Sequence, residues 1–305
     1  MLATADLPAT QDDPRLQGWY QTIDLGNGLH SKGWYDLRSV VDKWGIPASL
    51  AGMEALDVGT ANGFFAFEME RRGARRVVAV DVPSARDQDW LPELRDEQPR
   101  ANPNTDRFRL AHAMRQSSVE HVALNVYDVS PERVGTFDIV FCGSLLLHLR
   151  NPLAALIAIR SVTRRLAIIE TAVDPELDEL HPGRPWMRFG NREYEERLGD
   201  HCTYWTMSTT ALEDMLEYAG FKSFVRRPPF RLPPRGLLVT CVHALTEPGR
   251  GGPRRPRRRE GPERSVEAEL KQLRAELAAV TGSRSWRLTA PLRELSRRFR
   301  GRRSC

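Results

Sequence analysis

A short glycine turn and a distant aspartate are the residues of this sequence best suited to hold a nucleoside. The segment Leu56-Asp57-Val58-Gly59-Thr60-Ala61-Asn62-Gly63 follows an apolar run and precedes a helical pattern. Glycines at positions 59 and 63 permit a sharp turn and a close approach of the backbone to a ligand. A second apolar run ends in Asp81, whose carboxylate can accept hydrogen bonds from both hydroxyls of a ribose. Together they predict a site for a nucleoside-containing cofactor.

The spacing of the glycines distinguishes between nucleoside cofactors. A dinucleotide fold uses G-x-G-x-x-G, which places a pyrophosphate at a helix N-terminus. Here Ala61 and Phe64 stand where the second and third glycines would be, and the sequence contains no GxxxxGK[ST] phosphate loop. S-adenosylmethionine has a ribose, an adenine and a methionine but no phosphate. The sequence therefore predicts S-adenosylmethionine as the cofactor, and it predicts no metal site.

Six apolar runs alternate with helical patterns and must position these residues. The predicted strands are 55–58, 77–82, 121–126, 138–142, 166–170 and 236–243, and the predicted helices are 64–72, 106–116, 152–163 and 209–220. This alternation predicts an α/β fold with a doubly wound, mostly parallel sheet that is covered on both faces. An aromatic-rich stretch at 18–50 predicts an N-terminal cap, and the irregular stretch at about 171–205 predicts an inserted lid.

The order of these motifs resembles the class I S-adenosylmethionine-dependent methyltransferases. The D-x-G-x-x-x-G turn, the distal Asp81 and the run Phe137-Asp138-Ile139-Val140-Phe141 before Gly143 occur in the family's order. The resemblance covers residues 19–245 and implies a Rossmann-like fold, methyltransferase activity and contacts to methionine, ribose and adenine. The cofactor-binding residues that we predict are Trp34, Asp57, Gly59, Thr60, Asn62, Gly63, Asp81, Val82, Val126, Tyr127 and Gly143.

A closer resemblance is to the tRNA wobble-uridine carboxymethyltransferase family. It is carried by Ile23-Asp24 before Gly33-Trp34-Tyr35-Asp36, by Leu146-Leu147-His148-Leu149-Arg150-Asn151-Pro152 and by Ile169-Glu170-Thr171. This resemblance implies modification of tRNA with carboxy-S-adenosylmethionine.

Two departures from that family concern the extra carboxylate of its cofactor. The tyrosine that holds this carboxylate in the family is Leu147 here, and the family's lysine upstream of the Ile-Asp pair is missing, with Arg15 the only basic residue before Asp24. Burying a carboxylate without a partner costs several kcal/mol. We therefore expect ordinary S-adenosylmethionine and plain methyl transfer.

Two side chains are candidates for the base that removes a proton from an oxygen acceptor. Methyl transfer is a one-step in-line displacement that needs alignment, and an oxygen acceptor also needs a positioned base. His148 follows the fourth strand, where open α/β sheets bind ligands, and the neutral form of an imidazole suits this task. The alternative for His148 is to hold the loop before Pro152 together. Glu170, at the tip of the fifth strand, is the second candidate, and its alternative is to brace Arg188 or the loop.

Composition limits the class of protein. With 41% hydrophobic residues the 305-residue chain can build a core, which excludes a wholly disordered protein. Four scattered cysteines without a CxxC pair argue against a zinc site or a disulfide framework and suit a reducing compartment. No run approaches the ~20 apolar residues of a membrane span, and residues 1–15 lack a signal-peptide pattern. We therefore predict a cytoplasmic protein, with peripheral attachment at the inner membrane face as an alternative.

The C-terminal region differs in charge from the rest of the chain. Residues 247–305 contain 17 Lys and Arg against 7 Asp and Glu, whereas residues 1–246 are mildly acidic. We predict a flexible N-terminus at 1–17, a methyltransferase domain at 18–246, a disordered basic linker at 247–264 and a helix with a basic amphipathic tail at 265–305. An anionic membrane surface or a partner protein is the predicted partner of this tail.

Two patterns in the tail suggest what it does. Apolar residues at Val266, Leu270, Leu273, Leu277 and Val280 form a seam of about two heptads, which predicts either oligomerisation or a helix packed on the catalytic body. The segment 282–293 resembles a terminal element of bacterial glycan-assembly enzymes, and that resemblance implies a role in glycan biosynthesis.

These observations predict an S-adenosylmethionine-dependent methyltransferase that methylates a hydroxyl of a sugar, glycoconjugate or other small molecule. The alternative is a tRNA wobble-uridine (carboxy)methyltransferase. A third hypothesis is an inert scaffold of the same fold, against which the intact Asp57, Gly59, Gly63 and Asp81 argue.

Overall fold

The computed structural model describes residues 7–180, 182–190, 202–234 and 236–247. The chain divides into two units after Gly252, and all described residues belong to the first of them. The predictions for the linker, the two-heptad seam and the basic tail lie outside the described residues.

Short strands and helices alternate along the described chain. The strands are β1 (Trp19–Gln21), β2 (Asp24–Gly26), β3 (Leu29–His30), β4 (Gly33–Tyr35), β5 (Glu54–Val58), β6 (Arg76–Asp81), β7 (Glu120–Ala123), β8 (Phe137–Gly143), β9 (Thr163–Ala172), β10 (Met187–Phe189), β11 (Trp205–Met207), β12 (Ser223–Arg226), β13 (Phe230–Leu232) and β14 (Leu237–Leu245). The helices are α1 (Phe64–Arg71), α2 (Pro92–Arg95), α3 (Pro103–Arg115), α4 (Pro131–Val134), α5 (Pro152–Val162), α6 (Pro175–Leu180) and α7 (Thr209–Ala219).

An eight-stranded sheet forms the centre of the domain. Its order is β12-β14-β9-β8-β5-β6-β7, with β13 also paired to β14. Strands β5 to β9 run parallel, and β14 pairs antiparallel with β9, β12 and β13. This arrangement confirms the predicted α/β fold with a mostly parallel sheet. The strand order reverses beside β5, and open α/β sheets bind ligands at the carboxyl ends of the strands at such a point.

The sheet is buried on both faces because its strands alternate between two apolar clusters. In β5, Ala55 packs into the cluster that holds Trp19 and Phe65, whereas its neighbour Leu56 packs into the cluster that holds Leu212. Successive side chains of a strand point to opposite faces, so a short continuous apolar run fills both layers. This pattern explains why the central strands could be identified from their composition.

Capping residues set where the helices begin. Helix α3 begins at Pro103, three residues before the predicted Asp106, because the Asn102 side chain accepts a hydrogen bond from Asn104 N and proline suits the first helical position. Helix α5 begins in the same way, with Pro152 after Asn151, whose side chain accepts a hydrogen bond from Ala154 N.

Two parts of the sheet differ from the sequence prediction. The predicted strand 121–126 ends at Ala123, and Val126–Asp128 forms a 3₁₀ turn because the Asn125 side chain accepts a hydrogen bond from Tyr127 N. Strands β12 and β13, which both pair with β14, were not predicted, since each is short and two prolines, Pro228 and Pro229, separate them.

The cap is tied to the glycine turn by one buried side chain. Asn62 Oδ1 accepts hydrogen bonds from Tyr20 N at 2.7 Å and from Gln21 N at 3.2 Å. The cap contains two small sheets, β1 with β4 and β2 with β3. The contacts of Asn62 place β1 against the turn that follows β5.

The described part of the predicted lid contains α6 and a short hairpin. Strand β10 pairs antiparallel with β11, and Arg188 in β10 forms an ion pair with Asp174 at 3.1 Å. A role for this region in covering a ligand stays a prediction.

Candidate functional site

A cavity of about 450 Å³ lies at the carboxyl ends of the central strands. Its volume falls in the range of small-molecule and cofactor sites. Ten of the predicted site residues line it: Trp34, Asp57, Gly59, Asp81, Val82, Val126, Tyr127, Gly143, His148 and Glu170. The fold therefore brings residues from six separate stretches of sequence to one place.

The other three predicted residues shape the glycine turn and do not line the cavity. Thr60 Oγ1 donates a hydrogen bond to Asp57 Oδ2 at 2.6 Å, and Asn62 holds the cap. Gly63 has a φ of +96°, and a Cβ there would lie 2.6 Å from the Phe67 ring. These residues support the turn from behind, so their effect on a ligand would be indirect.

Asp57 anchors the turn from the end of β5. Its Oδ2 also accepts a hydrogen bond from Ala66 N at 3.1 Å, in the first turn of α1. The pKa of Asp57 is raised to about 7, mainly by burial and to a smaller extent by the charge of Asp81, against the hydrogen bonds from Thr60 and Ala66, which lower it.

Asp81 links the ends of β5 and β6. Its carboxylate accepts hydrogen bonds from Ala61 N and Val82 N, both at 2.7 Å, and from Asn102 Nδ2 at 3.4 Å. Burial raises the pKa of Asp81. A carboxylate offers about four lone-pair positions, so one further donor such as a ribose hydroxyl can be accepted.

Glu170 is the most deeply buried acid of the cavity. It lies in β9 in register with Gly143 of β8, and it is 1% exposed. Its carboxylate accepts hydrogen bonds from Ser144 Oγ at 3.0 Å and from Trp44 Nε1 at 3.4 Å. Burial raises the pKa of Glu170 to about 7, against the effect of these hydrogen bonds.

Contacts at Nδ1 orient the ring of His148, among them Thr203 Oγ1 at 3.3 Å. It ends the 3₁₀ turn Leu146–His148, and its Nδ1 lies 3.0 Å from the carbonyl oxygen of Cys202. A carbonyl oxygen only accepts hydrogen bonds, so Nδ1 carries the proton in this contact and Nε2 of the neutral ring keeps its lone pair. The contact also holds the turn, so the positioning and basic roles of His148 are compatible.

Tyr127 lies in the 3₁₀ turn Val126–Asp128 and lines the cavity. Its Oη donates a hydrogen bond to Asp89 Oδ2 at 2.5 Å and accepts one from Asn151 N at 3.1 Å. Burial and the Asp89 carboxylate raise the pKa of Tyr127, so its hydroxyl stays protonated. Together with the neighbouring Val126 it offers the mixed apolar and polar wall that an adenine ring needs.

The charge of the lining is one-sided. Five acidic side chains line the cavity, and among the described residues no lysine or arginine does. The acids are Asp57, Asp81, Asp87, Asp89 and Glu170. Carboxylates favour a nearby cation and disfavour a nearby anion, so the lining fits the positively charged sulfonium of S-adenosylmethionine. Leu147, also in the lining, adds an apolar side chain that is 3% exposed.

Several lining residues were not predicted from the sequence. They are Tyr20, Gln21, Trp44, Asp89, Ser144, Cys202 and Thr203. The aromatic composition of the cap indicated that it docks, but no local pattern marks which cap side chain reaches the cavity. Cys202 and Thr203 lie in the irregular stretch, where no periodicity predicts direction.

The described residues contain no group of three or more His, Cys, Asp and Glu that could hold a metal ion. Within the same residues, no helix has both the length and the apolar character to cross a membrane.

We expect Glu170 to make the stability of the ligand-free domain depend on pH. Because its pKa rises from 4.5 to about 7 on folding, the folded state keeps a proton that the unfolded chain has already released. This contribution to stability is complete below pH ~4.5 and is lost as the pH rises through about 7. At 1.36 kcal/mol per pKa unit, the loss is ~3 kcal/mol.

Urea unfolding of the natural chain and of Glu170→Gln, at about pH 5 and about pH 8, measures this loss. The amide of Gln keeps an acceptor for Ser144 but does not titrate. Between the lower and the higher pH, the free energy of unfolding of the natural chain should therefore fall by ~3 kcal/mol relative to that of Glu170→Gln. A stability difference that does not change with pH would show that Glu170 ionises normally.

Known proteins were compared with the chain at the levels of family, sequence and structure. A family model described as a methyltransferase domain matches residues 34–224, which is more than half of the chain. The chain is 30% identical over 176 residues to the tRNA U34 carboxymethyltransferase of Pseudomonas aeruginosa, covering 56% of this chain and 46% of that protein. It is 24% identical over 174 residues to the tRNA U34 carboxymethyltransferase of Helicobacter pylori, covering 55% and 56%. The chain spans about half the length of these curated relatives.

The fold is also similar to a solved structure. The N-terminal domain of EvdMO1, crystallised in the presence of SAH and D-fucose, aligns with a TM-score of 0.51 at 17% identity, over 76% of this chain and 93% of that one. The family match confirms the prediction of a methyltransferase domain, and the solved structure is similar in fold to the predicted Rossmann-like domain. The chain belongs to the family described as a methyltransferase domain.

Proposed function

We propose that this domain transfers a methyl group from S-adenosylmethionine to a hydroxyl of a sugar or a sugar-containing molecule. The observation that carries the proposal is His148, whose Nδ1 is held by the Cys202 carbonyl while the ring lines the cavity. A hydroxyl is a poor nucleophile until its proton is removed, and Nε2 of a neutral imidazole is suited to remove it.

Each part of the cofactor has a proposed binding partner in the cavity. The glycine turn after Asp57 would hold the methionine end, Asp81 the ribose, and Val126 with Tyr127 the adenine. When bound, S-adenosylmethionine supplies an electrophilic methyl group on a positively charged sulfur.

The protein's own residues would align the acceptor and move its proton. His148 would take the hydroxyl proton at Nε2 as the acceptor oxygen attacks, and the Cys202 carbonyl would stabilise the imidazolium through Nδ1. Glu170, the second candidate, has a pKa of about 7 and could accept a proton near neutral pH. Its hydrogen bonds to Ser144 and Trp44 point instead to a role in fixing the walls of the cavity.

Three observations favour a sugar acceptor. Trp34 lines the cavity yet is 56% exposed, and a partly exposed indole offers a flat apolar face to the C–H face of a sugar ring. The tail segment 282–293 resembles that of glycan-assembly enzymes. A domain of this fold, that of EvdMO1, was crystallised in the presence of D-fucose.

The alternative acceptor is a tRNA wobble uridine. It is favoured by the curated relatives, whose name is tRNA U34 carboxymethyltransferase. Against it stand Leu147 and the acid-lined cavity, which lacks a described cation to hold a carboxylated cofactor.

Methyl incorporation separates the two acceptors. Purified chain with methyl-labelled S-adenosylmethionine would be incubated with a panel of nucleotide sugars and lipid-linked glycans and, in parallel, with unmodified tRNA. We expect label in a sugar fraction and none in tRNA, and His148→Ala serves as the control for catalysis. Label in tRNA alone would replace the proposed acceptor.

Asp81 should contribute directly to cofactor affinity. We expect Asp81→Ala to weaken S-adenosylmethionine binding by ~1.5–3 kcal/mol, the range for hydrogen bonds to a charged group. Isothermal calorimetry measures the change. Asp138→Ala is the matched control, because Asp138 also accepts backbone and side-chain hydrogen bonds but lies at the opposite end of the sheet. Equal affinity losses in the two variants would remove Asp81 from the site.

The partners proposed for the C-terminal region are independent of the chemistry. Binding of an anionic membrane or a partner protein by the basic tail, and oligomerisation through Val266 to Val280, stay predictions, as do a cytoplasmic location and a role in glycan biosynthesis.

A further inference from the structure

One side chain of the cap carries a buried polar atom that nothing in the described part of the chain satisfies. Gln21 ends β1, is 6% exposed and lines the cavity. Its Oε1 has no hydrogen-bond partner among the described residues. A buried amide oxygen without a donor destabilises the folded state, so such an atom beside a cavity points to a ligand that donates to it.

The backbone of Gln21 is fixed beside the glycine turn. Its N–H donates a hydrogen bond to Asn62 Oδ1, within the turn, and its carbonyl oxygen accepts one from Ser31 Oγ at 3.0 Å. Strand pairing of Gln21 with Tyr35 holds the same residue from the other side. The backbone of Gln21 is therefore held on both sides, next to the glycine turn.

The chemistry of the surroundings limits what the donor can be. The cavity has no described lysine or arginine that could turn towards Oε1, whereas its acids attract positively charged groups. The methionine portion of the cofactor ends in an ammonium group with three N–H donors. Under the proposed function, that portion lies at the glycine turn, where Asn62 holds Gln21.

We propose that Gln21 Oε1 accepts a hydrogen bond from the ammonium group of S-adenosylmethionine and so positions the methionine end against the turn. This inference rests on the proposed use of the cavity for S-adenosylmethionine. It assigns to the cap a direct part in recognising the cofactor, beyond covering it.

If Gln21 has this role, replacing it should lower the affinity for the ligand without lowering the stability of the ligand-free domain. Gln21→Met has a similar length and removes the unsatisfied oxygen, so the ligand-free variant should unfold at a temperature equal to or above that of the natural chain. The same change should weaken binding of S-adenosylhomocysteine, which carries the ammonium group, by about tenfold. A residue that only supports the fold would lose stability when replaced.

The experiment compares two ligands by calorimetry. S-adenosylhomocysteine has the amino-acid end, whereas 5′-methylthioadenosine keeps the adenosine and the sulfur but lacks that end. We expect Gln21→Met to weaken only the first, and Gln21→Glu, which offers a carboxylate to the ammonium group, to preserve it. Gln88→Met, at another point of the same lining, is the matched control and should not distinguish the two ligands.

The outcomes separate this inference from the proposed function. Equal losses for both ligands, or unchanged binding of S-adenosylhomocysteine, would overturn the role of Gln21. Failure of the natural chain to bind either ligand would instead overturn the proposed use of the cavity.

Discussion

Replacing His148 by alanine is expected to lower kcat by about 10²–10⁴-fold, the usual contribution of a positioned general base. The reason is that Nε2 is the ring nitrogen left with a lone pair once Nδ1 donates to the Cys202 carbonyl. The affinity for S-adenosylmethionine should stay near that of the natural chain, because the base acts on the acceptor. Initial rates at saturating cofactor, with calorimetry on the same preparation, measure both quantities.

His148→Asn is the variant that separates catalysis from support of the turn. Its side-chain amide N–H can occupy the place of Nδ1 and donate to Cys202, but it has no atom at the place of Nε2. We expect the rate of His148→Asn to fall as far as that of His148→Ala, with less loss of thermal stability. An asparagine variant that keeps most of its turnover would mean that His148 serves only to hold the loop.

The sequence predicts the central sheet well because its strands are buried on both faces. A run such as Ala55-Leu56-Asp57-Val58 places residues in both apolar clusters. A nearly continuous apolar run of this length is typical of a central parallel strand that is buried on both faces. The edges are less predictable. Strand β12 has a partly exposed, mixed composition, and its pairing with β14 depends on a chain segment some twenty residues away.

The residues that line the cavity can be predicted from the sequence only where they lie at the end of a strand or in the loop directly after it. Asp57, Asp81 and Gly143 follow from the rule that parallel strands present their carboxyl ends together. The partners of Glu170 do not, because Trp44 lies 126 residues earlier in the chain and reaches Glu170 only through packing of the cap. The place of Gln21 could not be predicted either, because no sequence motif marks it and only the structure shows that its buried Oε1 has no hydrogen-bond donor among the described residues.

The second large effect concerns a carboxylated form of the cofactor. We expect carboxy-S-adenosylmethionine to bind about a hundredfold or more weakly than S-adenosylmethionine, which corresponds to ~3 kcal/mol. Its added carboxylate would lose water in a cavity lined by five acids and, among the described residues, by no lysine or arginine. Leu147, buried in that lining, offers the carboxylate no hydrogen-bond donor.

Competition between the two cofactors on the purified chain measures this preference. Leu147→Tyr adds a phenolic donor and should narrow the gap between them, whereas Leu147→Met, which keeps the side chain apolar, should leave the gap unchanged. The comparison matters for the acceptor as well, because a carboxylated cofactor would transfer a carboxymethyl group. Tighter binding of that cofactor by the natural chain would contradict the preference for ordinary S-adenosylmethionine. It would then favour a wobble uridine over a sugar hydroxyl as the acceptor.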